Sequence, residues 1–376
     1  MDTDRTNCYD CIILGAGLSG LYAGYLLLQH GHTVCVLEAR AHVGGRVATW
    51  HAPTANQHAE LGPEFIDSNH IRLLRLAHIF DLPMTTRPDF WGITPHKPYS
   101  KSAHHALRQF WKQVSMLAQQ LPHREAPWHA PEPLRQLDYV SWCDWAHQHP
   151  LWQAGEPLFR RYTRNLEAAE PEHLSIFSVI AQESFYGEGV EHGIYRIESG
   201  TEQLPYALAE AIRQQGGQIR LNAVVEAVHQ SETGVQALYR IWEETDTEAG
   251  DPGILSLWVG GEPARRWAGW DANQRIERCL QVLETMYPDC RSQLISAVSY
   301  AWSTDPFAQH AYIYHTPGYL TQALPTLRQP EGRLHFAGDY LSLFVGYMEG
   351  ALESAERAVH ALRTRYNSPN GSTHTR

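Results

Sequence analysis

Three glycines, Gly15, Gly17 and Gly20, stand at G-x-G-x-x-G spacing between an apolar run, Tyr9 to Leu14, and a segment from Leu18 to Gln29 with apolar residues at helical spacing. Each glycine has its own physical task there. The first permits a sharp turn, the second lets the backbone approach a pyrophosphate at a helix N-terminus, and the third lets the helix pack closely on the sheet. Glu38 closes a second apolar run, Thr33 to Leu37, that begins after Gly31. Its carboxylate can accept hydrogen bonds from the ribose hydroxyls of an adenosine, and it would repel a phosphate on that ribose. Just beyond, Gly44 and Gly45 bring backbone close to the same pyrophosphate, and the guanidinium groups of Arg40 and Arg46 offer planar, bidentate partners to phosphate oxygens. A glycine-rich turn in an unrelated domain would lack this combination of strand before, helix after and carboxylate at the end of the next strand. The predicted chemistry is dinucleotide binding.

The elements that must hold these residues follow from periodicity. Strand, tight turn, helix and strand fill residues 9–37. A stretch from Lys97 to Pro150, rich in His, Gln, Trp and Pro, reads as an α-rich insertion with a helix over Ala106 to Leu121. The α/β character returns at Tyr195 to Val228, with a helix near Leu204 to Gln215 and a strand near Gln218 to Val225. Glu243 to Asp251 is polar and turn-forming, Ile254 to Val259 reads as a strand, and Asp271 to Met286 as an amphipathic helix. The end reads as a strand over Arg333 to Ala337, a turn at Gly338-Asp339 and a long helix from Gly346 to Leu362. The fold class is α/β.

The chain of 376 residues is 43% apolar, enough for a large core divided among two or three units. A net charge of −11 with no long basic run argues against nucleic acid and suits a small cationic substrate. The six cysteines have no metal-ligand spacing, and the Cys8/Cys11 pair reads as small core residues. The first residues lack the basic-then-apolar pattern of a secretory signal, no apolar run is long enough to span a membrane, and the last nine residues are polar. A soluble cytoplasmic protein is the expectation.

The run Leu37-Glu38-Ala39-Arg40 with Val43-Gly44-Gly45-Arg46 resembles the second fingerprint of the flavin amine oxidase superfamily, which includes monoamine and polyamine oxidases and L-amino-acid oxidases. Independently, His335-Phe336-Ala337-Gly338-Asp339-Tyr340, followed by Gly346-Tyr347-Met348-Glu349-Gly350-Ala351, resembles its closing FAD motif. The resemblance implies a Rossmann-type, glutathione-reductase-like FAD-binding domain of residues 1–80, 195–236 and 305–376. An α+β substrate domain of residues 81–194 and 237–304 is interleaved with it.

The resemblance also implies roles. FAD contacts fall to Gly15, Gly17, Gly20, Glu38, Arg40, Gly45 and Arg46; to Gly62, Glu64 and Phe65 in a segment passing along the flavin; and to Val225, whose backbone would pair with the adenine. Gly338 and Asp339 would meet the pyrophosphate-ribityl region. The helix starting near Met348 would point its free N–H groups at the flavin pyrimidine, stabilising negative charge there. An aromatic cage is implied at Tyr347 and Tyr312, with Tyr314 the alternative to Tyr312. L-amino-acid oxidases place a Met-Arg pair near Glu64 and Phe65; this chain has no arginine there, which favours an amine without a carboxylate. Asp67 is a candidate for the far end of a diamine, and Ala311 near the position of a linking cysteine favours a non-covalent cofactor.

The implied activity is oxidation of a small amine to an imine with dioxygen reduced to hydrogen peroxide. A homodimer is left open. Between Val228 and Trp258 the chain is several tens of residues shorter than the superfamily pattern. Its three lysines, Lys97, Lys101 and Lys112, all precede that point, so the superfamily's lysine near flavin N5 is absent. An FAD-binding remnant without activity is therefore a second reading, and an L-amino-acid oxidase or a desaturase of the same superfamily a third.

Overall fold

The computed structural model describes residues 8–53, 57–86, 99–185, 193–230, 235–240, 256–285 and 287–366. Strand β1 (Cys11–Leu14) leads into helix α1 (Leu18–Gln29), and β2 (Val34–Leu37) returns parallel to β1 with Cys11 opposite Val34 and Leu14 opposite Leu37. β3 (Thr49–His51) and β4 (His58–Glu60) form an antiparallel pair, followed by β5 (Ile66–Asp67), α2 (Ile71–Ile79) and β6 (Met84–Thr86).

The α-rich insertion comprises α3 (Lys101–Ala118), α4 (Glu132–Arg135), α5 (Trp142–His147), α6 (Trp152–Glu167) and α7 (Ile176–Glu183). Ser100, Ser141 and Ser175 start α3, α5 and α7 by accepting N–H bonds of the first turn that would otherwise have no partner. The apolar faces so aligned meet around Phe110, Trp142, Phe159 and Ile180. The Trp142 ring packs edge-to-face on Phe159 at 4.9 Å and on Trp111 at 5.6 Å, a geometry the ring quadrupoles favour.

β7 (Ile194–Ile197) then joins β5 and β6 in an antiparallel sheet of order β5–β7–β6. α8 (Gln203–Gln214) and β8 (Gln218–Arg220) complete a parallel sheet of order β1–β2–β8. β9 (Val224–Gln230) pairs antiparallel with β10 (Val235–Arg240). α9 (Gly261–Ala268), α10 (Ala272–Glu284), α11 (Cys290–Gln293), α12 (Leu324–Leu327) and α13 (Met348–Tyr366) follow. Helices α1, α8 and α13 bury Leu21, Leu208, Ile212 and Leu352 with Val34 and Val36 of the parallel sheet; each such side chain contributes roughly 1.5–3 kcal/mol.

Some predicted elements differ. The strand over 218–225 is two: Asn222 takes φ +54°, which breaks β8 from β9. Residues 333–337 do not form a strand. Glu331 and Leu334 instead exchange backbone bonds in a tight turn, and β1 keeps a free outer edge among the described residues. No strand forms at 256–259 either; the Trp258 ring folds back over Gly260, and the Gly261 N–H bonds the Ala168 carbonyl. Strand geometry needs a neighbouring edge, which neither segment finds. Cys11 is buried as expected, whereas Cys8 lies exposed outside the strand. The polar stretch 243–251, Met286 and the tail after residue 366 fall outside the described residues. Among the described residues, no helix is long and apolar enough to cross a membrane.

Candidate functional site

Two turns meet at the start of α1. The Gly44 N–H donates to the Ala16 carbonyl at 2.9 Å, and a Cβ added to Gly45 would lie 3.3 Å from the Gly17 Cα. Backbone thus lies on backbone, leaving the N-terminus of α1 open to an anion. A Cβ on Gly20 would lie 2.1 Å from the Gly15 carbonyl oxygen, so the helix sits on the turn as the third glycine's task requires.

A cleft of about 1810 Å³ opens from this point. It is lined by Gly15, Gly17, Gly20, Gly45, Arg46 and Gly62 from the first part of the chain, by Gly338, Asp339, Tyr347 and Met348 from the last, and by Tyr312 and Tyr314. The Arg46 guanidinium is held at the junction by both oxygens of Asp339 and by the Ala311 carbonyl at 2.8 Å. The first and last thirds of the chain are therefore pinned together at the cleft. Gly346, whose φ of +77° suits glycine, presents its open side to the Tyr312 ring, 3.1 Å from where a Cβ would sit. Tyr312 stacks parallel to Trp258, centroids 6.5 Å apart. Burial, and after it coupling to the ionisable groups of Glu167 and Tyr347, pushes the Tyr312 hydroxyl well above the ordinary tyrosine range. Burial and the nearby Arg46 hold His310, also on the cleft wall, neutral more strongly than usual.

Glu38, Arg40 and Val225 gather elsewhere, at the C-terminal end of β2, outside the cleft wall. Glu38 is 3% exposed; its carboxylate accepts from the Ala16 N–H at 2.7 Å and the Arg40 N–H at 2.9 Å, and each oxygen keeps a lone pair for a further donor. The backbone carbonyls of Glu38 and Arg40 accept from Ala223 and Asn222 at 2.7 and 2.8 Å, which sets Val225 beside them. The Arg40 guanidinium pairs with Asp305 and lies 5.3 Å over the Phe307 ring. Asp305 is a hub: it also accepts from the Tyr300 hydroxyl and from the Phe307 and Ala308 N–H groups at 2.8–2.9 Å. Burial works against its charge, but these donors hold its carboxyl below the usual range. Glu64 pairs with Arg196 at 3.3 Å, and neither Glu64 nor Phe65 reaches the cleft wall.

Sequence reasoning missed His70 and Asp305. His70 is fully buried with its ring 4.6 Å from that of Tyr347. Its one local signal is its place directly before the apolar periodicity of α2.

A glycine turn at a helix N-terminus, a carboxylate closing the second parallel strand and an arginine at the mouth of an aromatic-walled cleft fit a dinucleotide of FAD's size and charge, and define the site of a Rossmann-type flavoprotein. A model of the flavin-containing amine oxidoreductases matches residues 18–251 and 236–363, and the chain belongs to that family, whose cofactor is FAD. The two matched pieces overlap over residues 236–251, within the region where the sequence falls short of the superfamily pattern.

Amine oxidase [flavin-containing] B of Homo sapiens is 22% identical over 456 aligned positions, covering 95% of this chain and 86% of the human one. That is more positions than the chain has residues, so the match bridges gaps opened in it. An L-amino acid dehydrogenase of Synechocystis sp. is 22% identical, covering 94% of each. Among solved structures, putrescine oxidase bound to putrescine superposes with a TM-score of 0.75 at 19% identity, covering 95% of this chain and 99% of that one. Cyclohexylamine oxidase from Brevibacterium oxydans IH-35A superposes with a TM-score of 0.70 at 21% identity over the same shares.

Proposed function

We propose that the protein is an FAD-dependent oxidase of a small amine, with Tyr347 and Tyr312 forming the wall that holds the amine. The observation that carries this reading is that both tyrosines line the same cleft as the pyrophosphate turn and the start of α13. When bound, FAD supplies a two-electron acceptor that takes a hydride equivalent from the carbon bearing a neutral amine and passes the electrons to dioxygen, giving hydrogen peroxide. The imine product then hydrolyses to a carbonyl compound and ammonia or a smaller amine.

The chain's own part is binding and orientation. Gly15, Gly17, Gly20, Gly45 and Arg46 hold the diphosphate, with Gly62, Gly338 and Asp339 flanking it. Met348 opens α13, whose N-terminal N–H groups favour negative charge on the ring edge they face. Glu38, Arg40 and Val225 take the adenosine end. Tyr312 and Tyr347 present flat apolar faces that exclude water and orient the substrate carbon. Arg196 is engaged by Glu64 and by the His58 ring at 3.2 Å. The preference for an amine over an amino acid rests on the sequence, which has no arginine at positions 64 and 65.

A second reading, an FAD-binding protein without oxidase turnover, draws on the parallel sheet, which has three strands among the described residues, and on Ile12 and Leu14, which stay exposed on β1. An absorbance spectrum followed by anaerobic addition of a panel of amines and L-amino acids separates the two. Flavin bands that bleach with an amine, with peroxide formed on admitting air, are expected. Flavin that no amine reduces would leave the second reading.

A further inference from the structure

His70 occupies the N-cap position of α2, yet its side chain makes no capping bond. The free N–H groups of that helix go elsewhere: Arg72 and Leu73 donate to the carboxylate of Glu349, in the first turn of α13, at 3.2 and 3.0 Å. The Arg72 guanidinium adds a bond to the same carboxylate at 3.0 Å. One helix is thus capped by a residue of another, and the imidazole is free for a different use. Its Nδ1 accepts the Asp67 N–H at 3.0 Å, which places the ring hydrogen on Nε2. Nε2 is buried and makes no hydrogen bond, with the Asp67 carboxylate standing off at 3.8 Å, an arrangement that costs about 1–3 kcal/mol. The ring stands edge-to-face against Tyr347 at 4.6 Å, with Phe344 at 6.1 Å. Burial lowers its pKa to about 3, so the imidazole stays uncharged at any working pH.

We infer that His70 is a positioning residue: oriented by the Asp67 amide, its ring fixes the plane of Tyr347 at the cleft wall. A cost in stability is accepted beside one of the two aromatics proposed to orient a substrate, which is the pattern of a supporting side chain rather than of plain core. This rests on the proposed role of Tyr347. A ring at position 70 acts as a wedge whatever its nitrogens do, whereas the bond to Asp67 is lost in any apolar replacement.

The test compares His70→Ala and His70→Phe with the wild type, as holoproteins, in melting temperature, anaerobic flavin reduction by the best amine, and visible circular dichroism of the bound flavin. Both variants lose the Asp67 acceptor, so both should melt lower, His70→Ala further because it also leaves a cavity. His70→Phe keeps the wedge and should reduce within about threefold of wild type. His70→Ala should reduce at least about tenfold more slowly at saturating amine, as expected when a substrate wall is displaced. Equal rates for the two variants, or an unchanged His70→Ala, would overturn the inference. If no amine reduces the wild type, the oxidase reading fails on its own and the dichroism decides for His70. A flavin signal displaced in His70→Ala and restored in His70→Phe supports the wedge, and one unchanged in His70→Ala refutes it.

Discussion

At the scale of single residues, close approach and burial lead to measurable consequences. A Cβ at Gly62 would lie 2.0 Å from the Arg46 carbonyl oxygen, and both residues line the cleft, so Gly62→Ala must push apart the backbone that presents Arg46. The expected cost is about 2 kcal/mol or more, read as a lower unfolding midpoint together with weaker FAD retention; unchanged retention would mean the Arg46 turn does not hold the diphosphate. Glu167 is the opposite case, a carboxyl at the end of α6 whose burial alone raises its pKa to about 7. Because the folded state holds this proton more tightly than the unfolded chain, its contribution is fully present below about pH 4.5 and is lost as pH rises towards 7. Glu167→Gln should remove that loss, gaining on the order of 3 kcal/mol over wild type at pH 8 and little at pH 4. Denaturant midpoints of the two proteins at both pH values check this, and a pH-independent difference would show that Glu167 ionises freely when folded.

At the scale of elements, Asp305 shows how a turn far along the chain serves the first βαβ unit. It lies 265 positions from Arg40, and its acceptor set ties the 300–308 turn to the end of β2. Asp305→Asn keeps the shape and removes the charge that holds the guanidinium. The dissociation constant for FAD should rise roughly tenfold, or about 1.4 kcal/mol, in a flavin titration of apoprotein; an unchanged constant would confine the hub to its own turn. That hub also marks where the sequence stops being readable. The limits of α1 and the glycine contacts were legible because spacing and turn chemistry are local, and most residues taken from the motifs do line the cleft. The expected strands did not form at 256–259 or 333–337, because pairing depends on a partner edge that no local pattern contains. His70 and Asp305 were missed for the same reason. Nothing near them in sequence announces a ring or a guanidinium brought close by folding.

For the whole molecule, the cleft is bounded by segments from both ends of the chain, joined at its wall by the Arg46–Asp339 pair. The parallel sheet has three strands among the described residues, and Leu14 on its edge strand lines the cleft while remaining half exposed. Apolar surface is therefore left uncovered at the cleft, and bound cofactor should act as part of the core. A ligand that binds the folded chain alone stabilises it in proportion to the logarithm of its excess, about 2.7 kcal/mol at a hundredfold excess over the dissociation constant. For a chain of this length that is a rise in melting temperature of about 3 °C, and more if FAD also orders the exposed edge. The experiment is a melting curve of apoprotein against FAD concentration, with adenosine diphosphate as a control that can satisfy the glycine turn but cannot cover the cleft. A logarithmic rise with FAD and a smaller one with the nucleotide would show that the aromatic half of the cleft receives the flavin ring. Equal rises would show that only the βαβ unit binds, and that the tyrosine wall stands clear of the cofactor.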